Sequence, residues 1–346
     1  MYLRYVHSFR AVAIVIIVAG HALITLEWPP VSPTRDFLLD LLDNGTVLFV
    51  FVAGFLFHHL SKRYQYRDYL QKKLFNVVIP YVLVSLPAVL YTVRFTDPAT
   101  RHPELAGTSE AYQVGWMLIK GGATFNYSLW FIPMITLFYL AAPVLIQFVH
   151  HPRLYAVLVV LVPLSMLAHR ANELDTLGIA LYFLPAYIAG MWASHHRDRL
   201  EPFLDRFWAW LSAAFLAAVA LNFVLAAHHG NYYGSVVFSQ EHGLIDWLFA
   251  QKLLLCFALL ALLRRVDGLL ADRLRFLGDV SFTIFFVHGY VLFAVQVFFW
   301  NALGYLPPGN FLAWLVLTVG TVAAAAGGAA LVKRTVGRRS RYLIGS

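Results

Sequence analysis

Arg10 and His21 occupy one apolar stretch, Phe9 to Leu26, with ten residues between them. On a helix, eleven steps of about 100° come to about 1100°, so both side chains leave the same face about 16 Å apart. A permanently charged guanidinium binds phosphate or carbonyl oxygen, whereas an imidazole, with a reference pKa near 6.5, takes a proton from a hydroxyl and returns it. Inside hydrocarbon both groups are costly and by default face a bundle interior, a cavity or a reaction path. The pair suits transfer of a group from an anionic donor on one side of a membrane to a hydroxyl on the other. His288, about 10 Å into a later span, can approach the first helix or simply bond a neighbouring one. Asp279 and Ser281 near the start of that span read as N-caps. Lys252 lies about one turn inside its span, where snorkelling is the default and a cavity role the alternative. Glu27, six residues beyond His21, reads as interfacial.

The elements that must hold these residues follow from composition. Of 346 residues, 60% are apolar and 13% charged, against about 25% charged in soluble domains. Spans of ~20 residues with short connections use up the length, leaving one integral membrane domain, 1–346, and no room for a large soluble one. The net charge of +8 does not indicate nucleic acid, because the basic residues gather in particular loops without an aromatic-basic module. Cys256 is the single cysteine, which excludes an intrachain disulfide and a cysteine-only metal cluster. No metal is expected. The apolar run after the N-terminal basic residues reaches spanning length, so it reads as a first span rather than a cleaved leader.

Hydropathy places spans at Phe9–Leu26, Leu42–Leu60, Asn76–Phe95, Leu129–Val149, Leu154–Arg170, Gly178–His195, Phe207–Ala227, Trp247–Leu263, Ser281–Trp300 and Phe311–Val332. Alternating the connections puts nineteen lysines and arginines on the N-terminal side and five opposite, with Arg10 and Lys252 inside spans. Both termini are therefore expected in the cytoplasm. Pro80, Pro87, Pro133, Pro143, Pro163 and Pro185 fall within spans and free backbone carbonyls, so kinked helices around a central cavity are expected. The resulting class is an all-α polytopic membrane protein of about ten transmembrane helices. The connection Thr96–Tyr127 reads as holding a short amphipathic helix near Tyr112–Ile119. Ala227–Asp246, with His228, His229, Glu241 and His242, reads as a polar, aromatic lid or sugar-facing loop rather than a metal site. Ala323–Ala330, with Gly327 and Gly328, reads as a close-packing helix face.

The stretch from Arg10 to His21 resembles the first span of the membrane-bound acyltransferase 3 family, which carries an Arg, ten residues and a His. Four further segments are similar to family signatures in order. Leu48–Phe55 looks like the phenylalanine-rich motif of the second span, with Ala53 where the family usually has Ser, and Tyr69–Tyr81 looks like the basic entry to the third span. There the family often has two arginines, and this chain has Lys72 and Lys73. Ser128-Leu129-Trp130-Phe131-Ile132 and Gly278–His288 match the other two. The resemblance implies an integral membrane O-acyltransferase that moves an acyl group, commonly acetyl, from cytoplasmic acyl-CoA to a saccharide or lipid-linked glycan at the outer face.

On that reading His21 is the general base or acyl relay and Arg10 fixes the donor. Lys72 and Lys73 attract coenzyme A phosphates, and His288, Trp130 and Lys252 are candidate cavity-lining residues. Acyl-CoA, acetyl-CoA by expectation, is a substrate rather than a permanently bound cofactor. The other expected partners are membrane lipids and the glycan, and the expected location is a bacterial inner membrane. The rival class is a polysaccharide or small-anion exporter in which Arg10 and His21 line the route.

Overall fold

The computed structural model describes residues 3–96, 102–122, 124–168, 170–224 and 245–345, and across these the chain is helical without a β-strand. Eight of the described helices are long and apolar enough to cross a membrane. A ninth span follows if Ser128–Leu140 and Ala142–His150, bent by 55°, are taken together, and Pro152–Ala168 is a shorter apolar stretch in the place of a tenth. The protein is a multi-pass, all-α membrane protein.

In chain order, α1 (Arg4–Thr25) is followed by α2 (Pro33–Leu42) and α3 (Thr46–His59). The second span thus begins nine residues earlier than hydropathy suggests, because Ser32 caps α2 with Pro33 in its first turn. It breaks at Asp43-Asn44-Gly45, where Asn44 adopts a φ of 56°. Next, α4 (Tyr66–Lys73) runs through a π-helical turn, Leu74–Val78, into α5 (Ile79–Phe95). The amphipathic segment of the following connection is α6 (Glu110–Lys120). After it come α7 (Phe131–Leu140), α8 (Ala142–Leu145) and α9 (Gln147–His150). Pro143 in the first turn of α8 cannot donate to the preceding turn, which accounts for the bend there. The rest is α10 (Leu158–Ala168), α11 (Thr176–His195), α12 (Arg197–Val224), α13 (Trp247–Arg265), α14 (Asp267–Leu303), α15 (Phe311–Val336) and α16 (Ser340–Ile344).

Two close helix pairs organise the interior. Between α3 and α11, a Cβ at Gly54 would overlap the Tyr187 carbonyl and one at Gly190 the Phe51 carbonyl, so each glycine admits the other backbone. The glycine of the phenylalanine-rich motif is therefore a packing requirement. The second pair is α1 and α14, which run parallel: Arg4 pairs with Asp267 near one end, and Gln296 donates to the Thr25 carbonyl near the other. A Cβ at Gly278 would lie 2.8 Å from the His7 carbonyl.

Several sequence expectations change in this frame. Because α14 starts at Asp267, Asp279 and Ser281 sit inside a helix and are not N-caps. Lys252 does not snorkel: it is fully buried, and its Nζ donates to the carbonyls of Asp40 (3.0 Å) and Leu41 (3.2 Å) where α2 ends. A cation there answers the last carbonyls of a helix. Gly327 and Gly328 face open space, while Ala325, Ala326 and Ala329 form the buried side of α15. The histidine-bearing loop is outside the described residues over 225–244.

Candidate active site

Arg10 and His21 each meet a partner on α14. Arg10 Nη2 donates to Ser281 Oγ at 2.8 Å, and its guanidinium carbon stands 5.7 Å from the centre of the Phe282 ring. Ser281 Oγ in turn donates to the Gly278 carbonyl at 3.0 Å, so the hydroxyl presents its lone pairs to the arginine. His21 Nδ1 lies 2.8 Å from His288 Nε2, with the rings stacked at 5.0 Å. His288 Nδ1 lies 3.0 Å from the Ile284 carbonyl.

That last contact sets the protons of the neutral pair. A carbonyl only accepts, so His288 Nδ1 carries a hydrogen and His288 Nε2 carries a lone pair. His21 Nδ1–H then donates to it, leaving the His21 lone pair on Nε2. A general base oriented by a fixed second group is the arrangement that proton-transfer chemistry at a hydroxyl needs.

The two α1 residues border different spaces. Arg10 lines a cavity of about 1460 Å³ that is also walled by Lys72, Lys73, Lys333 and Arg341. Lys73 Nζ lies 4.5 Å from the Tyr139 ring centre and 5.4 Å from that of Tyr69. The π-helical turn puts Phe75 and Asn76 on the same wall, and π-bulges recur at functional sites for this reason. Ala53, the residue in place of serine, lines it too, so the position meets the cavity but brings no hydroxyl. His21 borders a second space of about 10 Å³ with Thr25, Asn126, Ser128 and the stacked rings of Phe125 and Phe293, 4.0 Å apart. That is at the lower limit of the room one water needs.

Between them stands an aromatic cluster. Phe49 and Phe131 line the large cavity. Phe285 lies 5.3 Å from Phe131 and 6.0 Å from His288, ring centre to ring centre. Apolar rings thus pack between the cavity of Arg10 and His288, and a passage toward His21 would have to run among them.

The structure brings Arg10, Lys72 and Lys73 to one cavity and sets His21 against His288, an approach that the sequence left open beside a purely structural role. Of the three candidate cavity-lining residues, none lines either cavity: His288 is fully buried against His21, and Trp130 and Lys252 stand apart. Trp130 stacks on Phe183 and lies under the Arg170 guanidinium, 4.8 Å from its carbon. The helical turn Tyr127–Trp130 is pinned beside His288, because Asn126 Nδ2 donates to the Phe286 carbonyl and a Cβ at Gly289 would overlap the Asn126 amide. Sequence reasoning missed Arg170, which is buried although it lies near the end of a predicted span and pairs with Glu173 at 3.4 Å. It also missed Lys333 and Arg341, which it counted only as topology signals.

A family model described as an acyltransferase domain, that of the acyltransferase 3 family, matches residues 3–330. The chain belongs to this family and is a membrane acyltransferase. No curated protein and no solved structure matches it. Family membership decides between the two classes left open by the residues, enzyme over exporter.

Proposed function

We propose that the protein, acting as one membrane domain over residues 1–346, is an O-acyltransferase of a bacterial inner membrane. It takes an acyl group, by preference acetyl, from cytoplasmic acyl-CoA and places it on a hydroxyl of an extracytoplasmic saccharide or lipid-linked glycan. One observation carries this reading: a single α1–α14 pair holds a cation on a wide, basic cavity and an oriented imidazole on a small space at the other end.

The donor's phosphates meet Arg10, Lys72 and Lys73, and its thioester-bearing arm extends from there toward His21. At the far end His21 Nε2 takes the proton of the acceptor hydroxyl as its oxygen bonds to the thioester carbonyl carbon. The carbon–sulfur bond breaks, and the proton returns from Nε2 to the departing thiolate. His288 holds the tautomer throughout.

Purified protein in proteoliposomes, given acyl-CoA labelled in the acyl group and a mixed glycan acceptor fraction, should release free thiol and label the glycan in equal amounts. An intact thioester after prolonged incubation would reject the reading.

A further inference from the structure

The family match ends at residue 330, yet the chain continues into the wall of the large cavity. Lys333 lies in the last turn of α15. Gly337, with a φ of 59°, then turns the chain back, and α16 settles against the π-helical turn and α14. Three contacts fix it there. Thr283 Oγ1 donates to the Ile344 carbonyl at 3.0 Å, and Tyr342 packs edge-on to Phe75 with ring centres 6.1 Å apart. Gly345, in a left-handed conformation, fits where a Cβ would lie 3.1 Å from Phe286 and 3.5 Å from the Asn76 carbonyl.

This held segment delivers two cations, half-buried Lys333 and exposed Arg341, to the cavity that Lys72 and Lys73 also line. With Arg10 the lining has five cations against two carboxylates, Asp68 and Asp279, and Asp279 already faces His7 Nε2 at 3.2 Å. So strong an excess around one cavity suits a ligand with several phosphates rather than a single anion.

We propose that residues 333–345 complete a phosphate clamp, in which Lys333 and Arg341 bind the phosphate-bearing nucleotide end of the donor together with Lys72 and Lys73 of α4. This rests on the donor assignment made above and adds to it a segment beyond the family-matched region. Lipid phosphates share the same chemistry, so the test separates them.

The protein is reconstituted in nanodiscs of phosphatidylcholine alone and titrated calorimetrically with coenzyme A, with adenosine 3′,5′-bisphosphate and with pantetheine. Arg341→Gln and Lys333→Gln should each weaken coenzyme A and the bisphosphate by about five- to tenfold, the double variant by more, and pantetheine not at all. Arg341→Lys should retain most of the affinity for the bisphosphate. Thermal midpoints report folding, and Arg341 is exposed enough that its loss should leave them in place. Wild-type affinity for coenzyme A in both single variants overturns the clamp while the donor assignment stands. A wild-type protein that binds neither nucleotide overturns both. If the variants differ from wild type only in nanodiscs containing phosphatidylglycerol, the cations hold lipid headgroups and the clamp is wrong.

Discussion

At the scale of single residues, the decisive contact is the one that fixes a proton. The Ile284 carbonyl dictates the tautomer of His288, and His288 that of His21. If His21 Nε2 is the base, His21→Ala should lower transfer by ~100-fold or more with an unchanged thermal midpoint, and His21→Gln should fail equally because an amide cannot shuttle a proton. Activity within a few-fold of wild type would remove His21 from the chemistry. His288 acts through its neighbour, as a positioning residue. His288→Ala should reduce kcat by about 10- to 100-fold with little change in acceptor KM, and His288→Gln, whose carbonyl can still accept from His21 Nδ1, should recover part of the loss. Equal loss in both variants would argue that His288 supports packing alone. Arg10 donates to Ser281 and lies over the Phe282 ring, geometry suited to a planar fork. Arg10→Lys should therefore weaken acyl-CoA binding and cut turnover despite the retained charge, as titration and initial rates would show. Unchanged coenzyme A affinity with full turnover would assign Arg10 to the membrane interface.

At the scale of elements, the site depends on two helix pairs that glycines bring together. Gly54→Ala or Gly190→Ala places a methyl group against a backbone carbonyl of the partner helix, which cannot rotate away as a side chain can. Each should lower the thermal midpoint by a shift equivalent to ~1–3 kcal/mol or prevent folding, whereas Gly327→Ala and Gly328→Ala, facing open space, should change little. The contrast explains what the sequence can and cannot disclose. Span positions were legible because a run of apolar residues is a local property, and Arg10 with His21 because helical geometry alone aligns them. His288 could be named but not paired, since which helix it meets depends on the approach at Gly278. The caps assigned to Asp279 and Ser281 failed for a related reason: α14 extends well beyond its apolar stretch on the side of Asp267, so hydropathy marks where lipid begins and not where the helix does. Lys252 misled because its partners are carbonyls, which no side-chain pattern reveals. The bend at Pro143 turned one expected span into two segments, as a missing backbone donor would.

At the scale of the whole molecule, charge and cavity agree on a direction. The wide cavity, both ends of the chain and the basic connections lie toward one face of the bundle, since α1 and α14 run parallel from it and α16 returns to it. By the positive-inside rule that face is the one expected in the cytoplasm. His21 borders the small space toward the other end, where the Phe125–Phe293 stack leaves about 10 Å³, so on the proposed reading an acceptor has to part those rings while the donor enters a space already open. The consequence is a sidedness that sealed vesicles can measure. With the cytoplasmic face outward, acyl-CoA added to the bath should label a glycan enclosed in the lumen, and vesicles of the opposite orientation given the same additions should not. Raising the salt concentration should weaken the donor step more than the acceptor step, because the donor meets several partly exposed cations whose attraction is screened beyond a Debye length of about 8 Å at physiological ionic strength. Equal labelling from both orientations would mean that the thioester reaches His21 from the far side. The ring-lined passage from Arg10 would then be packing and not a route.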